Sequence, residues 1–220
     1  MKRLLIVGAG GFGREVWAWA QDVMRAERCW EFGGFLDRNP EALGRCLPGS
    51  EVIGDPECYS PAGGDVLLCA VGDPETKLRL SNELEGRGAS FVTLRHPSAI
   101  VGPGCSVGRG CVLCPQVVLT TNVTVGNFVT INVNSTIGHD AVIGDGCTLS
   151  GQVDITGFAA VGEGVLIGSH ATVLPSMRVG DYAVVGAGSV VARHVAPRTT
   201  VFGVPAQKIH DRGGGFGGSE

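Results

Sequence analysis

The sequence predicts a small α/β domain followed by a parallel β-helix of six-residue repeats. Three observations predict it. From Ala99 to His194 the chain divides into sixteen consecutive hexads without an insertion, and the third residue of every hexad is Val, Ile or Leu. Ahead of the repeat, short apolar runs alternate with amphipathic stretches, the pattern of a parallel sheet with crossover helices. The glycine-rich segment Gly8-Ala9-Gly10-Gly11-Phe12-Gly13 joins the first apolar run to the first helical stretch.

In an extended segment alternate side chains face opposite sides, so positions one and three of each hexad turn inward together. Position one is small or modestly branched, with Met177 the largest, and the branched residue at position three fills the interior. Glycine holds position four in nine hexads; with Asn and Asp it suits a chain that must turn every six residues. Three strands and three turns make a coil of about eighteen residues, and five such coils stack to roughly 25 Å. Cys105, Cys111 and Cys147 fall at position one and are expected inside the prism, whereas Cys114 falls at a turn. The CxxC spacing of Cys111 and Cys114 therefore does not make a ligand pair, and no second pair or nearby His completes a metal site. The eight cysteines read as reduced apolar fillers, and no metal is expected.

Residues 2–7 read as a buried strand, followed by the glycine-rich turn and a helix through about Arg28. Phe32–Leu36 is a second strand ending at Asp37, Val66–Val71 a third, Pro74–Glu85 a helix, and Phe91–Leu94 a fourth strand. Gly8, Gly10 and Gly13 form a GxGxxG where a phosphate-binding turn belongs, and helix-terminal amides there can hold phosphates. The bland alternative is a tight turn with close helix–sheet packing. Asp37 stands where a ribose or base acceptor is usual. A sheet of four strands is half of a dinucleotide domain, so a single nucleotide is the better fit. The boundaries expected are 1–95 for this Rossmann-like half domain, 96–211 for the β-helix with its C-terminal cap, and 212–220 for a disordered Gly-rich tail.

Acidic residues exceed basic ones, 21 to 17, and no Lys/Arg run stands out, which gives no footprint for nucleic acid or an anionic membrane. No apolar stretch approaches a membrane span, and Leu4–Val7 is too short for a secretory signal; a cytoplasmic location is expected.

His139 sits at position five of the hexad Ser135-Thr136-Ile137-Gly138-His139-Asp140, a turn position whose side chain leaves the prism. Histidine is the usual proton acceptor near neutral pH, and a neighbouring carboxylate, here Asp140, fixes its tautomer. His96, His170, His194 and His210 have weaker contexts.

These features together resemble the sialic acid O-acetyltransferase / bacillosamine and perosamine N-acetyltransferase group of hexapeptide-repeat proteins. The stretches that carry the resemblance are LLIVGAGGFGREV at 4–16, GFLD at 34–37, HPSAIV at 96–101, NSTIGHDAVIGDG at 134–146 and GVPAQKI at 203–209. The resemblance implies a left-handed β-helix, a homotrimer with the active site between adjacent prisms, and acetyl-CoA as acyl donor. It implies His139 as general base with Asp140 beside it, and a backbone amide near Gly157 that meets the thioester carbonyl. The nucleotide-linked sugar is then held by Gly8, Gly10, Phe12, Gly13, Asp37 and Arg38. Acetylation of an amino group, at C4 of a deoxy sugar, is the activity implied, in lipopolysaccharide or glycan biosynthesis. O-acetylation of a sugar such as sialic acid and a non-catalytic nucleotide-sugar-binding β-helix stay open. Two positions depart from the pattern: Phe12 and Thr148 stand where relatives often carry His.

Overall fold

The computed structural model describes residues 2–27, 29–44 and 50–211; the expected tail at 212–220 lies outside them. The N-terminal sheet contains β1 (Lys2–Val7), β2 (Trp30–Leu36), β3 (Val52–Gly54) and β4 (Asp65–Cys69), all parallel, in the order β3-β2-β1-β4. Helix α1 (Gly11–Glu27) connects β1 to β2, and α2 (Pro74–Gly86) follows β4. The burial pattern of β1 explains its place: Leu4, Leu5, Ile6 and Val7 are fully buried, as a central parallel strand covered on both faces requires. Helix α1 buries Val16, Ala20 and Val23 at helical spacing. Asp73 caps α2, accepting from the Thr76 amide at 2.9 Å, and Pro74 stands at its start, where a missing N–H is tolerated.

The sheet reverses its order between β1 and β4. Ligand crevices of open α/β sheets lie at such a reversal, beyond the carboxyl ends of the strands, and here those ends lead into Gly8 and Ala70. One strand of this region was missed and one expectation fails. The three-residue β3 has no sequence signature long enough to read. Phe91–Leu94 is not a strand of this sheet: Phe91 makes a single bridge to Leu67, while Leu94–Arg95 pairs with Val112–Leu113 as the first strand of the prism.

The hexads form a three-faced parallel prism whose two-residue strands pair eighteen residues apart, as Thr136 does with Asp154 and Ile137 with Ile155. One face, the docking face, runs from Leu94–Arg95 through Thr130–Ile131 and Thr148–Leu149 to the hairpin Thr199–Phe202/Gln207–Asp211. The second contains Thr136–Ile137, and the third contains Thr124–Val125 and Val142–Ile143. Ile137, Leu149, Ile155 and Ile167 at position three are 0% exposed, which makes the interior an aliphatic stack.

The turns work differently from the sequence expectation. The left-handed residue is the sixth of the hexad, whatever its type: Asn122, Phe128, Asp140, Phe158, His170 and Tyr182 all have φ between 55° and 60°. Glycine at position four serves close stacking instead. A Cβ at Gly138 would lie 2.6 Å from the Gly157 nitrogen, and one at Gly102 would lie 1.5 Å from the Thr120 oxygen. Cys111 and Cys147 are fully buried in the prism, and burial pushes their thiols up to about 11 and about 12. Cys105, in the first full coil, is half-buried. Cys114 is also fully buried; it belongs to the core cluster shared with α1.

The α/β domain packs on the docking face and its corners. Phe91 meets Phe128 edge-on at 5.1 Å, Arg109 pairs with Glu85 at 2.6 Å, and Leu78 lies over Gly146.

Candidate active site

His139 projects from the corner between the second and third faces, the corner away from the α/β domain. Its Nδ1 lies 2.9 Å from Asp140 Oδ2. Asp140 holds that position because its backbone is left-handed, φ 60°, and because Asn122 Nδ2 donates to its other oxygen at 3.3 Å. The hydrogen bond from His139 holds the Asp140 carboxyl below its ordinary value. With Nδ1–H donated to the carboxylate, Nε2 is the nitrogen free to accept a proton.

Nε2 faces the next coil. A Cβ on Gly157 would stand 2.6 Å from it and 2.7 Å from Cε1, so only glycine leaves room for the ring. The Gly157 amide has no acceptor among the described residues, whereas the amides of Asn127 and Glu163, at the same hexad position on another corner, are capped by Asp145 and Asp181. Phe158 packs edge-on against the imidazole at 5.0 Å and is itself 59% exposed. The corner thus brings together a carboxylate-oriented imidazole, an uncapped amide and an apolar wall.

The glycine-rich turn is partly structural and partly not. Gly8 has φ +98°, and a Cβ there would sit 3.0 Å from the Ala70 oxygen. A Cβ on Gly13 would lie 2.0 Å from the Gly8 oxygen, which is the close approach of helix to strand. A Cβ on Gly10 would meet no atom within 4 Å. Packing therefore accounts for the first and third glycines, and the second opens the turn to solvent at the N-terminus of α1, whose first turn carries no acidic residue. Asp37 Oδ2 accepts the Ala9 amide at 2.8 Å and Oδ1 the Asn39 amide at 2.9 Å, so this carboxylate pins the turn as well as facing a cleft of about 140 Å³ lined by Gly8, Asp37, Arg38 and Thr76. Arg38 is already engaged, 2.5 Å from Glu57, which also takes Arg79.

Residues 3–84 match the PglD N-terminal domain family, and residues 158–193 match the bacterial transferase hexapeptide family of six repeats. The GDP-perosamine N-acetyltransferase of Escherichia coli O157:H7 is 27% identical over 200 residues, 90% of this chain and 81% of its own. The structure of PerB from Caulobacter crescentus in complex with CoA and GDP-perosamine superposes with a TM-score of 0.85 at 28% identity, over 96% of this chain and 98% of that one. The acetyltransferase domain of PglB from Neisseria gonorrhoeae FA1090 gives 0.85 at 26%, over 95% and 100%. The chain is related to these hexapeptide-repeat acyltransferases. Its prism is accordingly the left-handed β-helix.

In this chain the residues expected at the site fall into two groups on opposite sides of the prism. His139, Asp140 and Gly157 meet at one corner; Gly8, Gly10, Phe12, Gly13, Asp37 and Arg38 gather on the α/β domain, which covers the opposite face. Phe12 and Thr148, the two departures from the pattern, line one cleft of about 420 Å³ between the two domains, with Asp73, Thr130 and Ser150. Sequence reasoning passed over Phe158 and Lys77. Phe158 gave no periodic signal, since the sixth position tolerates any residue. Lys77 did: it shares a helical stripe with Leu80, Ser81 and Leu84, three, four and seven residues on, and all four are buried. Of the remaining histidines, His96 meets Ser98 and, at 3.3 Å, Asp22, and the His194 ring accepts from the Arg178 amide. Among the described residues no group of three His, Cys, Asp or Glu is arranged to hold a metal ion, and no helix is long and apolar enough to cross a membrane.

Proposed function

We propose that this protein is an acetyl-CoA-dependent N-acetyltransferase that acetylates the amino group, at C4, of a nucleotide-linked amino-deoxy sugar, with His139 as general base. The observation that carries the mechanism is the His139 Nε2, oriented from behind by Asp140 and set against Gly157, whose amide is uncapped. The amine nitrogen attacks the thioester carbonyl, and the Gly157 N–H donates to the oxygen as negative charge develops there. His139 Nε2 takes the proton that the nitrogen must lose, and Asp140 stabilises the imidazolium. Collapse breaks the carbon–sulfur bond, and the imidazolium returns its proton to the departing thiolate. The product is an amide, and His139 is regenerated. The prism cysteines Cys111, Cys114 and Cys147 take no part: they are buried, with thiols pushed above their ordinary value by burial.

The acceptor's nucleotide is assigned to residues 1–95, with its phosphates at Gly8–Gly13 and its ribose or base at Asp37, and acyl transfer to residues 96–211. A single chain keeps these halves apart, because the α/β domain covers one face and His139 leaves the opposite corner. His139 is 57% exposed, and Phe158 and Val142 expose apolar surface close to it in sequence and coil. We therefore read the active unit as a homotrimer in which each His139 meets the α/β domain of its neighbour, with closed symmetry completing three sites. Acetyl-CoA as donor favours a cytoplasmic location. The relatives named above, which include an enzyme bound to CoA and GDP-perosamine, support an amino-sugar acceptor over a sugar hydroxyl. The test is a mass-spectrometric screen of GDP-, UDP-, dTDP- and CMP-linked amino sugars with acetyl-CoA. One amino sugar should gain an acetyl group on nitrogen; acetylation confined to hydroxyl groups, or of no member, contradicts the reading.

A further inference from the structure

Lys77 is a buried cation that the mechanism above does not use. It is 1% exposed, and its three donors go to three uncharged oxygens: Thr148 Oγ1 at 2.7 Å, the Cys147 carbonyl at 2.9 Å and Thr130 Oγ1 at 3.3 Å. An ammonium desolvated in this way is costly, and burial pulls its pKa down to about 8. A structural pin between α2 and the prism would be made at less cost by an apolar side chain, so the position of the charge calls for another account.

Both threonines line the 420 Å³ cleft into which Phe12 of the glycine-rich turn also faces. A hydroxyl oxygen that accepts from an ammonium keeps its own hydrogen to donate. Among the described residues neither the Thr130 nor the Thr148 hydroxyl donates to a protein acceptor. The cleft is their open side, and the charge behind them strengthens what they donate. One wall of this cleft is therefore a pair of hydroxyl donors backed by a cation, while Glu15 and Asp73 line the cleft as well.

We propose that Lys77 is a positioning residue that sets acceptor specificity: it holds the Thr130 and Thr148 hydroxyls as donors toward the cleft, so that the site selects a sugar presenting an oxygen acceptor to that wall. This rests on the acyl-acceptor reading above and adds which wall of the site tells sugars apart.

The test uses the best acceptor of the nucleotide-sugar panel and separates hydroxyl from shape at position 148. Thr148→Val keeps the shape and loses the O–H; Thr148→Ser keeps the O–H and loses the methyl. T148V should raise the KM of the nucleotide sugar about ten- to hundredfold, with a smaller change in kcat and no change in the KM of acetyl-CoA or in binding of the free nucleoside diphosphate. T148S should stay within about threefold of the parent protein. Lys77→Met should reproduce T148V, and the double variant should be no worse than the poorer single variant, because the two groups act as one unit. An impaired T148S beside a normal T148V would reduce the contact to packing and overturn the proposal, as would a KM unmoved by both T148V and K77M. Absence of turnover on every panel member by the unmodified protein would overturn the acyl-acceptor reading, and this inference with it.

Discussion

Asp140 stays beside His139 because its own backbone cannot easily do anything else: it occupies the left-handed turn, φ 60°, a conformation that Asp tolerates better than most residues. Its carboxylate fixes which imidazole nitrogen is free, so Asp140→Asn should lower kcat about tenfold, less than loss of the base itself, with KM for both substrates little changed. Steady-state kinetics on the two variants decide this. Gly157 makes a sharper case. A methyl group there would stand 2.6 Å from Nε2, and the backbone carries no positive φ that an L-residue would resist. Gly157→Ala should therefore keep its melting temperature while the ring is displaced, and a displacement near 1 Å costs about 10²-fold in turnover. A G157A protein with parental kcat would separate this glycine from the chemistry.

At the scale of elements, the prism depends on its third positions. Val161 is 2% exposed in an aliphatic stack, and Val161→Asp places an unpaired carboxylate there, so unfolding in denaturant should lose more than about 4 kcal/mol. In the α/β domain the edge strand β4 is tied by Asp65, which takes Arg3 at 2.7 Å, the Tyr59 hydroxyl at 2.6 Å and the Ala62 amide at 2.8 Å. The Arg3 hydrogen bond, with these others, holds the Asp65 carboxyl down at about 2 against an ordinary 3.8. A carboxyl depressed by folding contributes stability that is present above 3.8 and is lost as pH falls toward 2. Asp65→Asn should thus cost about 2 kcal/mol at neutral pH and flatten the acid limb of the stability curve; an unchanged acid limb would show that Asp65 does not supply it.

These elements also show what a sequence can reveal. The hexads were legible because burial repeats strictly at positions one and three, and His139 because it stands at an outward turn beside an acid. The turn mechanism was not, since glycine at position four answers to the coil stacked above it, and the left-handed sixth position is set by the coil path rather than by residue type. Strand β3 is too short to leave a periodic trace. Lys77 was legible in its spacing, on a stripe with Leu80 and Leu84, but a lysine in a helix reads as solvated until the prism is seen to cover it. The separation of His139 from the nucleotide cleft could not be read from any motif, because it depends on which prism face the α/β domain covers.

At the scale of the whole molecule, that separation makes assembly part of the proposed mechanism. Sedimentation should give about 68 kDa, three chains of 22.7 kDa, and a fully active monomer would contradict the shared site. Gly10 offers a complementation test, since no protein atom lies within 4 Å of a Cβ there: Gly10→Leu should fold while blocking the phosphate turn. Mixed trimers of G10L and H139A chains should recover part of the activity that each parent lacks, because some interfaces pair an intact His139 with an intact cleft; a site within one chain would give no recovery. The most direct test of the central claim is turnover of the panel's best amino sugar by His139→Ala, measured from pH 6 to 9 on preparations whose sedimentation matches the parent. The account predicts a kcat reduced by about 10²- to 10⁴-fold with acetyl-CoA binding retained; an intact assembly turning over at the parental rate across that range would contradict it.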